Sequence, residues 1–454
     1  MTAPLDLDLL ESQVRAALDA DDIAALRDLV ARIYPPDLAD IIERLDDEDQ
    51  QRVFSLLERQ QAADVLDEAS IDTARELISQ MPVEQAADIL EELDSDDAAA
   101  ILAEDVPERQ HELLAAMAPE EAADVRELLR YPPQSAGRLL NDQFVALRES
   151  DTVADAMVRL RSIVHDAAVI VYLYVLDVRD RLIGTVSLRR LLVERPDRPV
   201  IELMRPSPIA VHPETDQEEV ARMVARYDLA ALPVVDDAGR MLGVVTVDDV
   251  MDVLVEEGAE DVLKFGAVAQ GQADETYFTT PIAASVRRRI VWLLFLFVAG
   301  SITANVLRLF EAELEQVVAL SFFIPLLIGT GSNTGAQTVS TLIRAMALNE
   351  VRLRDVWRVL ARELLVGVIL GFLLAIIAFG RAFLEVPMAS LAITVALSVM
   401  AICIWANIIG AMVPMAARRF GIDPALISAP LITTLVDASG LAIYLLIAKV
   451  LLGL

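Results

Sequence analysis

Cysteine is almost missing from this 454-residue chain: there is one, Cys403, inside an apolar run. It can form neither an intramolecular disulfide nor a cysteine-based metal site. Histidine is nearly as scarce, with His111, His165 and His212 all in the first half. No H-E-x-x-H pair and no nucleophile elbow occurs, so the usual equipment of a hydrolase is absent and the chain is not expected to be an enzyme. The N-terminus, MTAPLDLDLLESQ, has no basic region followed by an apolar core, and no secretory signal is expected there.

Positive charge is also in short supply, and unevenly so. Residues 287–454 hold 13 Lys+Arg and 9 Asp+Glu, a net of +4, which leaves 25 against 61 in residues 1–286, a net of −36. A half at −36 repels DNA, which excludes nucleic acid as a partner, and attracts cations. Such asymmetry implies two environments and two jobs.

What the second half does have is long apolar runs: 290–310, 317–343, 356–383, 388–416 and 425–452. Each reaches the ~20 residues needed to cross a bilayer, and five spans are expected. The basic residues nearest their ends are Arg287 to Arg289, then Arg344, Arg352, Arg354 and Arg358, then Arg418 and Arg419. All three clusters fall on one side, which places the N-terminus in the cytoplasm and the C-terminus outside. Asp437 sits deep in the last run, in APLITTLVDASGLAIYLL. A carboxylate facing lipid there costs about 2.5–3.5 kcal/mol, so a water-filled path or a partner is expected. Pro430, the Thr433-Thr434 pair and Gly440 permit a kink with carbonyls and hydroxyls left to line a cavity. The second run carries IPLLIGTGSNTGAQTVSTLIRA. Gly331/Gly335, like Gly367/Gly371, allows close helix packing, but packing alone does not call for Ser332, Asn333, Thr334, Gln337 and Thr338 together. A polar helix lining a pore explains both. A symmetric dimer would bring two copies of Asp437 about one axis, where they could hold a divalent cation.

The acidic half divides again. Residues 35–130 repeat an Ala-Asp pair beginning at 39, 63, 87 and 123, which reads as short helices stacked into a small superhelix. From about 138, two copies read strand, helix, strand, turn, strand, helix, with turns at 179–181 and 236–239. The second copy, with LPVVDDAGRMLGVVTVDDV, closely resembles a CBS domain; the first is more divergent around SIVHDAAVIVYLYVLD. CBS pairs often bind adenine nucleotides, which makes Tyr172, Arg189 and Arg190 candidate contacts for ATP. Residues 246–261, TVDDVMDVLVEEGAED, crowd Asp249, Asp252, Glu256, Glu257, Glu260 and Asp261 onto about four helical turns. Like charges three and four apart destabilise a helix unless cations relieve them.

PLLIGTGSNTGAQ and PALISAPLITTLVDASGLAIY, set behind these acidic and CBS segments, resemble the MgtE-type magnesium channels over nearly the whole length. The resemblance implies an α-helical superhelix N-domain (1–134), an α/β CBS-domain pair (135–200 and 201–260), a connecting helix (261–285) and an all-α pore domain (286–454). It implies a homodimer in a prokaryotic-type cell membrane, with the pore lined by the second and fifth spans. It assigns Asp437 to hydrated Mg²⁺ and Gly329, Asn333 and Thr433 to the pore lining. It assigns Glu218, Asp228, Asp249, Asp252, Glu257, Glu260, Asp261 and Asp423 to regulatory Mg²⁺, with Asp88, Asp94, Asp96 and Asp97 as further candidates in the N-domain. Mg²⁺ bridging those acids would close the pore. The rival expectation is an ion-coupled carrier of Mg²⁺ or Co²⁺.

Overall fold

The computed structural model describes residues 7–163, 171–269, 280–427 and 429–454. The chain forms two compact units, 1–257 and 258–454. Part of the divergent stretch in the first CBS copy, and residues 270–279 of the expected connecting helix, lie outside the described residues.

The first unit begins with ten short helices among the described residues: α1 (Leu7–Asp19), α2 (Ile23–Val30), α3 (Pro35–Glu43), α4 (Asp47–Phe54), α5 (Arg59–Glu68), α6 (Ile71–Ser79), α7 (Val83–Leu90), α8 (Ser95–Ala103), α9 (Pro107–Ala116) and α10 (Pro119–Leu128). Prolines open α3, α9 and α10, where the missing N–H needs no partner. Asp22 and Asp46 cap α2 and α4 by accepting from the amides of Ala25 and Asp49, both at 3.0 Å. Helices α3, α5, α7 and α9 stack in one column, and α4, α6, α8 and α10 in a second. The repeated alanine explains the spacing: Ala39, Ala63 and Ala87 are buried where helices approach, each followed by an aspartate on a wetter face. In the fourth copy the buried position slips by one, to Ala122.

Next come β1 (Ala146–Arg148), α11 (Val153–Ile163), β2 (Tyr172–Leu176), β3 (Leu182–Ser187), α12 (Leu188–Val193), β4 (Arg205–Pro206), α13 (Gln217–Tyr227), β5 (Ala231–Val235), β6 (Met241–Thr246) and α14 (Val247–Phe265). The order β1-β2-β3-β4 makes one sheet, with β1 and β2 parallel and the rest antiparallel; β5 and β6 pair antiparallel. Both hairpin turns use one device. The Asp236 carboxylate accepts from the amides of Ala238 and Arg240, and that of Asp177 from Arg179 and Arg181. The left-handed position falls on Gly239 (φ 78°) in one and Asp180 (φ 59°) in the other. The helical columns and the second CBS copy share one apolar core, running from Leu10 to Val253.

In the second unit, α15 (Ile282–Leu309), the short α16 (Glu311–Gln316), α17 (Ala319–Ala347), α18 (Val356–Glu385), α19 (Ala389–Arg419) and α20 (Ala429–Leu452) follow one another. Among the described residues, four helical segments, Ile282–Leu309, Leu353–Glu385, Ala389–Arg419 and Ala429–Leu452, are long and apolar enough to cross a membrane. The expected five therefore become four on apolarity. Helix α17 has the length, with 29 residues, but its polar stretch dilutes its apolar character. Helix α19 is central and packs on α17, α18 and α20. The glycine pairs make this packing close. A Cβ on Gly331 would meet Ile402 at 2.7 Å and Val436 at 3.0 Å, and one on Gly371 would meet the Met400 carbonyl oxygen at 2.9 Å. Helix α15 buries none of its residues.

These distances separate two glycines of α18. Gly371→Ala forces α18 off the α19 backbone, whereas a Cβ at Gly380 meets nothing within 4 Å. Thermal unfolding in detergent is expected to show Gly371→Ala destabilised by about 1–3 kcal/mol and Gly380→Ala at or above wild type.

Candidate functional site

Two acidic sites emerge, one in each unit. In the membrane unit, Asp437 lies half-buried in the middle of α20 and accepts a short hydrogen bond from the Ser332 hydroxyl of α17. Ser332 also donates to the Ile328 carbonyl of its own helix at 2.9 Å. Thr433 is half-buried one turn before Asp437, and Asn333 and Gln337 are exposed one turn apart on α17. Gly329, a turn before Asn333, has open space where its side chain would be. Residues four apart share a helix face, so Gly329, Asn333 and Gln337 form one polar, uncovered stripe beside the Ser332–Asp437 contact.

The rest of the polar cluster behaves differently from expectation. Thr334 and Thr338 are buried. Their hydroxyls donate to the carbonyls of Thr330 and Thr334, at 2.8 and 3.0 Å, and Thr338 also to Asn407 Oδ1 at 2.8 Å. They join α17 to α19 rather than lining the stripe. Thr433 and Thr434 both donate to the Pro430 carbonyl, at 3.0 and 2.8 Å, so those hydroxyls are engaged within α20. Asn407 is 1 % exposed and holds Thr338 on one side and the Cys403 carbonyl on the other. The rule that singled out Asp437, a polar group within an apolar run, would have found it in WANIIGA.

In the first unit, the start of α8 and the start of α14 bring carboxylates together. Oxygens of Asp94, Asp96 and Asp97 all lie within 4.8 Å of one another, near the ~4.2 Å that separates ligands on opposite sides of a Mg²⁺ ion. Asn141 Nδ2 donates to Asp94 at 2.9 Å. Asp96 is 5 % exposed, and its Oδ1 has no hydrogen-bond partner. An orphaned, buried carboxylate oxygen beside two more carboxylates is a donor set suited to a hard cation. Burial, then Asp249 and Asp94, raises the Asp96 carboxyl well above the ordinary range. Burial, with Asp96 and Asp67 beside it, pushes Asp97 up to about 10. Burial pushes Asp249 to about 6 against the opposing pull of its hydrogen bonds from Thr246, and Asp248 and Asp94 add to the rise. Asp252 is raised by burial and then by Asp67 and Asp248. Asp67 and Asp248 were not singled out by sequence reasoning; among 61 acids, only the fold distinguishes them.

The other candidates scatter. Asp88 pairs with Arg59 of α5. Glu218 pairs with Arg222 at 2.7 Å, and Asp228 ends α13 as a left-handed cap with φ 51°. Glu257 accepts from Gln217 at 2.9 Å. Asp261 is exposed on α14. In the second unit, Lys264 joins Glu260 (2.6 Å) to Asp423 (3.2 Å), tying the end of α14 to the segment before α20. Burial opposes charge on Lys264, but its bonds to Glu260 and Asp423 outweigh that and raise its pKa. Tyr172 pairs with Ser187 across β2 and β3, and Arg189 and Arg190 are exposed on α12.

Comparison with known proteins agrees with this layout. Residues 33–134 match the MgtE intracellular N domain, 136–197 and 200–256 the CBS domain, and 324–447 the MgtE divalent cation transporter domain. The chain is 41% identical over 446 residues to the magnesium transporter MgtE of Thermus thermophilus, covering 98% of each. It is 36% identical over 328 residues to that of Bacillus subtilis, covering 72% of each. A crystal structure of the cytosolic domain of the Mg²⁺ channel MgtE in complex with ATP superposes with a TM-score of 0.52 at 40% identity, covering 54% of this chain and 99% of that one. The matches run through the acidic helical columns, the CBS pair and the apolar helices that hold Asp437, and this chain is a member of the MgtE family of magnesium transporters.

Proposed function

We propose that the protein is a Mg²⁺-selective channel, importing the ion down its electrochemical gradient and closed by Mg²⁺ at its acidic cytoplasmic face. The observation that carries the reading is the Ser332–Asp437 contact beside the uncovered stripe of Gly329, Asn333 and Gln337. A carboxylate held in place by a hydroxyl, at mid-helix in an apolar unit, suits an ion that keeps its water shell. One stripe is half a wall. A homodimer with α17 as a fifth span would supply the other half, and the unburied α15 is consistent with a protein partner. The arginine clusters favour a cytoplasmic N-terminus and an extracytoplasmic C-terminus. Entry is driven by the membrane potential, worth ~2.3 kcal/mol per charge per 100 mV.

In this reading Asp94, Asp96, Asp97, Asp249 and Asp252, with Asp67 and Asp248, are the regulatory site. Mg²⁺ there takes the place of the protons that these crowded carboxylates otherwise retain, and so favours the conformation that gathers them. The Glu260–Lys264–Asp423 tie is the element through which the end of α14 acts on the segment before α20. Glu218, Asp228, Glu257 and Asp261 are peripheral acids that lower the potential around the site, and Asp88, paired with Arg59, is the weakest candidate. ATP, carried by the related cytosolic domain, would meet Tyr172, Arg189 and Arg190 in the CBS pair.

Two measurements test this. Patch-clamp currents in Mg²⁺ should fall as cytoplasmic Mg²⁺ rises, and Asp437→Ala should cut them about tenfold or more, the equivalent of ~1.4 kcal/mol of lost ion stabilisation. Measurable Mg²⁺ flux without unitary events would favour the ion-coupled carrier instead, and unchanged currents in the variant would remove Asp437 from the path.

The acidic site is tested by pH. The folded pKa values of Asp97 and Asp249 are raised, so without divalent cation the folded unit retains protons that the unfolded chain releases above pH ~4. The associated stability is present below that pH and is lost as pH rises through about 6 and on toward 10. The melting midpoint of residues 1–257 is therefore expected to fall with pH in chelator, and added Mg²⁺ to raise it more at pH 8 than at pH 5. Asp97→Asn should raise the midpoint in chelator by about 4 °C, near 2 kcal/mol, and blunt the response to Mg²⁺.

A further inference from the structure

The connection between α17 and α18 borders an open cavity of about 640 Å³ at one end of the membrane unit. Five arginines line it: Arg344, Arg352, Arg354, Arg358 and Arg362, all exposed. Glu350, Asp355 and Glu363 share the wall, which leaves a net charge of +2. Asp355 accepts from the Arg352 amide at 3.0 Å. Arg344, Arg354, Arg358 and Arg362 have no carboxylate within 4.0 Å among the described residues. The floor is apolar, with Leu342 and Val359 buried. Arg418 of α19 donates to the carbonyls of Met346 and Val351, at 3.5 and 3.4 Å, and so sets the shape of the connection. At the start of α18, Trp357 is 80% exposed and Leu353 is 37% exposed.

A cationic hollow repels the ion that this family moves, so it is no part of the ion path. Four guanidinium groups with no carboxylate at contact distance, over an apolar floor, suit a phosphate that arrives with apolar substituents. An uncovered tryptophan at the end of an apolar helix belongs to the interfacial zone of a bilayer. Basic pockets between helices at that depth take anionic lipid headgroups. We propose that this cavity seats the phosphate headgroup of an anionic phospholipid, with Trp357 and Leu353 against the upper acyl region. The proposal needs only that α17 and α18 end at a membrane surface, and it stands apart from the channel reading.

Native mass spectrometry of the full chain in detergent tests it, with phosphatidylglycerol, phosphatidylcholine or inorganic phosphate added. The chain should retain phosphatidylglycerol in preference to phosphatidylcholine. That preference should fall about fivefold for each arginine removed in Arg358→Gln and in the double variant with Arg344→Gln. Arg419→Gln, outside the cavity, should leave it unchanged. If the double variant is not monodisperse, Arg358→Gln decides, since this exposed side chain holds no carboxylate. Equal retention of the two lipids, or a preference that survives loss of the arginines, overturns the proposal. Displacement of phosphatidylglycerol by millimolar inorganic phosphate that itself binds overturns it too, assigning the cavity to a soluble phosphate.

Discussion

A carboxylate withdrawn from water must have a proton, a cation or strong hydrogen-bond donors, and both halves of this molecule are organised around that requirement. In the first unit the fold collects acids at the starts of α8 and α14 faster than it supplies donors. Asn141 serves Asp94 and Thr246 serves Asp249, while Asp96 keeps an oxygen with nothing to accept from. In the membrane unit the same requirement is met sparingly, by one serine for one aspartate. The first arrangement is incompletely satisfied, and the second takes its donor from a neighbouring helix.

The surrounding structure follows from keeping these groups where they are. Short proline-started helices with buried alanines form stacked columns that hold α8 against the second CBS copy. In the apolar unit, glycines bring α17, α19 and α20 within backbone reach. The hydrogen bonds Thr338–Asn407, Trp405–Ser439 and Tyr444–Leu320 then set register between helices that dispersion alone would let slide.

Local signals carried much of this architecture in the sequence. The Ala-Asp repeats, the paired hairpin turns and the apolar runs are periodic or compositional features, and the helices and hairpins fall where they indicate, whereas the expected first strand of the second CBS copy is reduced to one parallel bridge between Val211 and Val234. Asp437 was legible because an ionisable residue in an apolar run has few bland explanations. Its donor was not, since Ser332 lies 105 residues away and nothing local pairs the two. The polar cluster on α17 was read as one lining, but helical geometry turns Thr334 and Thr338 inward and leaves Asn333 and Gln337 outside. In the acidic half the difficulty was abundance. Asp67 and Asp248 look like any other surface acid until α5, α8 and α14 are assembled, and the pairing of Asp88 with Arg59 is equally invisible in the sequence.

The close approach of α17, α19 and α20 has a mechanical consequence. Where a glycine sits against a neighbouring side chain or backbone at about van der Waals distance, there is no slack for side chains to absorb displacement. Gly367 and Gly371 hold α18 to α19 in the same way, so these four helices are displaced as one stiff wedge, and relative motion is concentrated at contacts without such interlocking. Helix α15 buries nothing and packs chiefly on α20, which makes it the compliant joint. Force entering the unit along α15 is spent first on bending that joint, and reaches Asp437 only as a movement of the whole wedge.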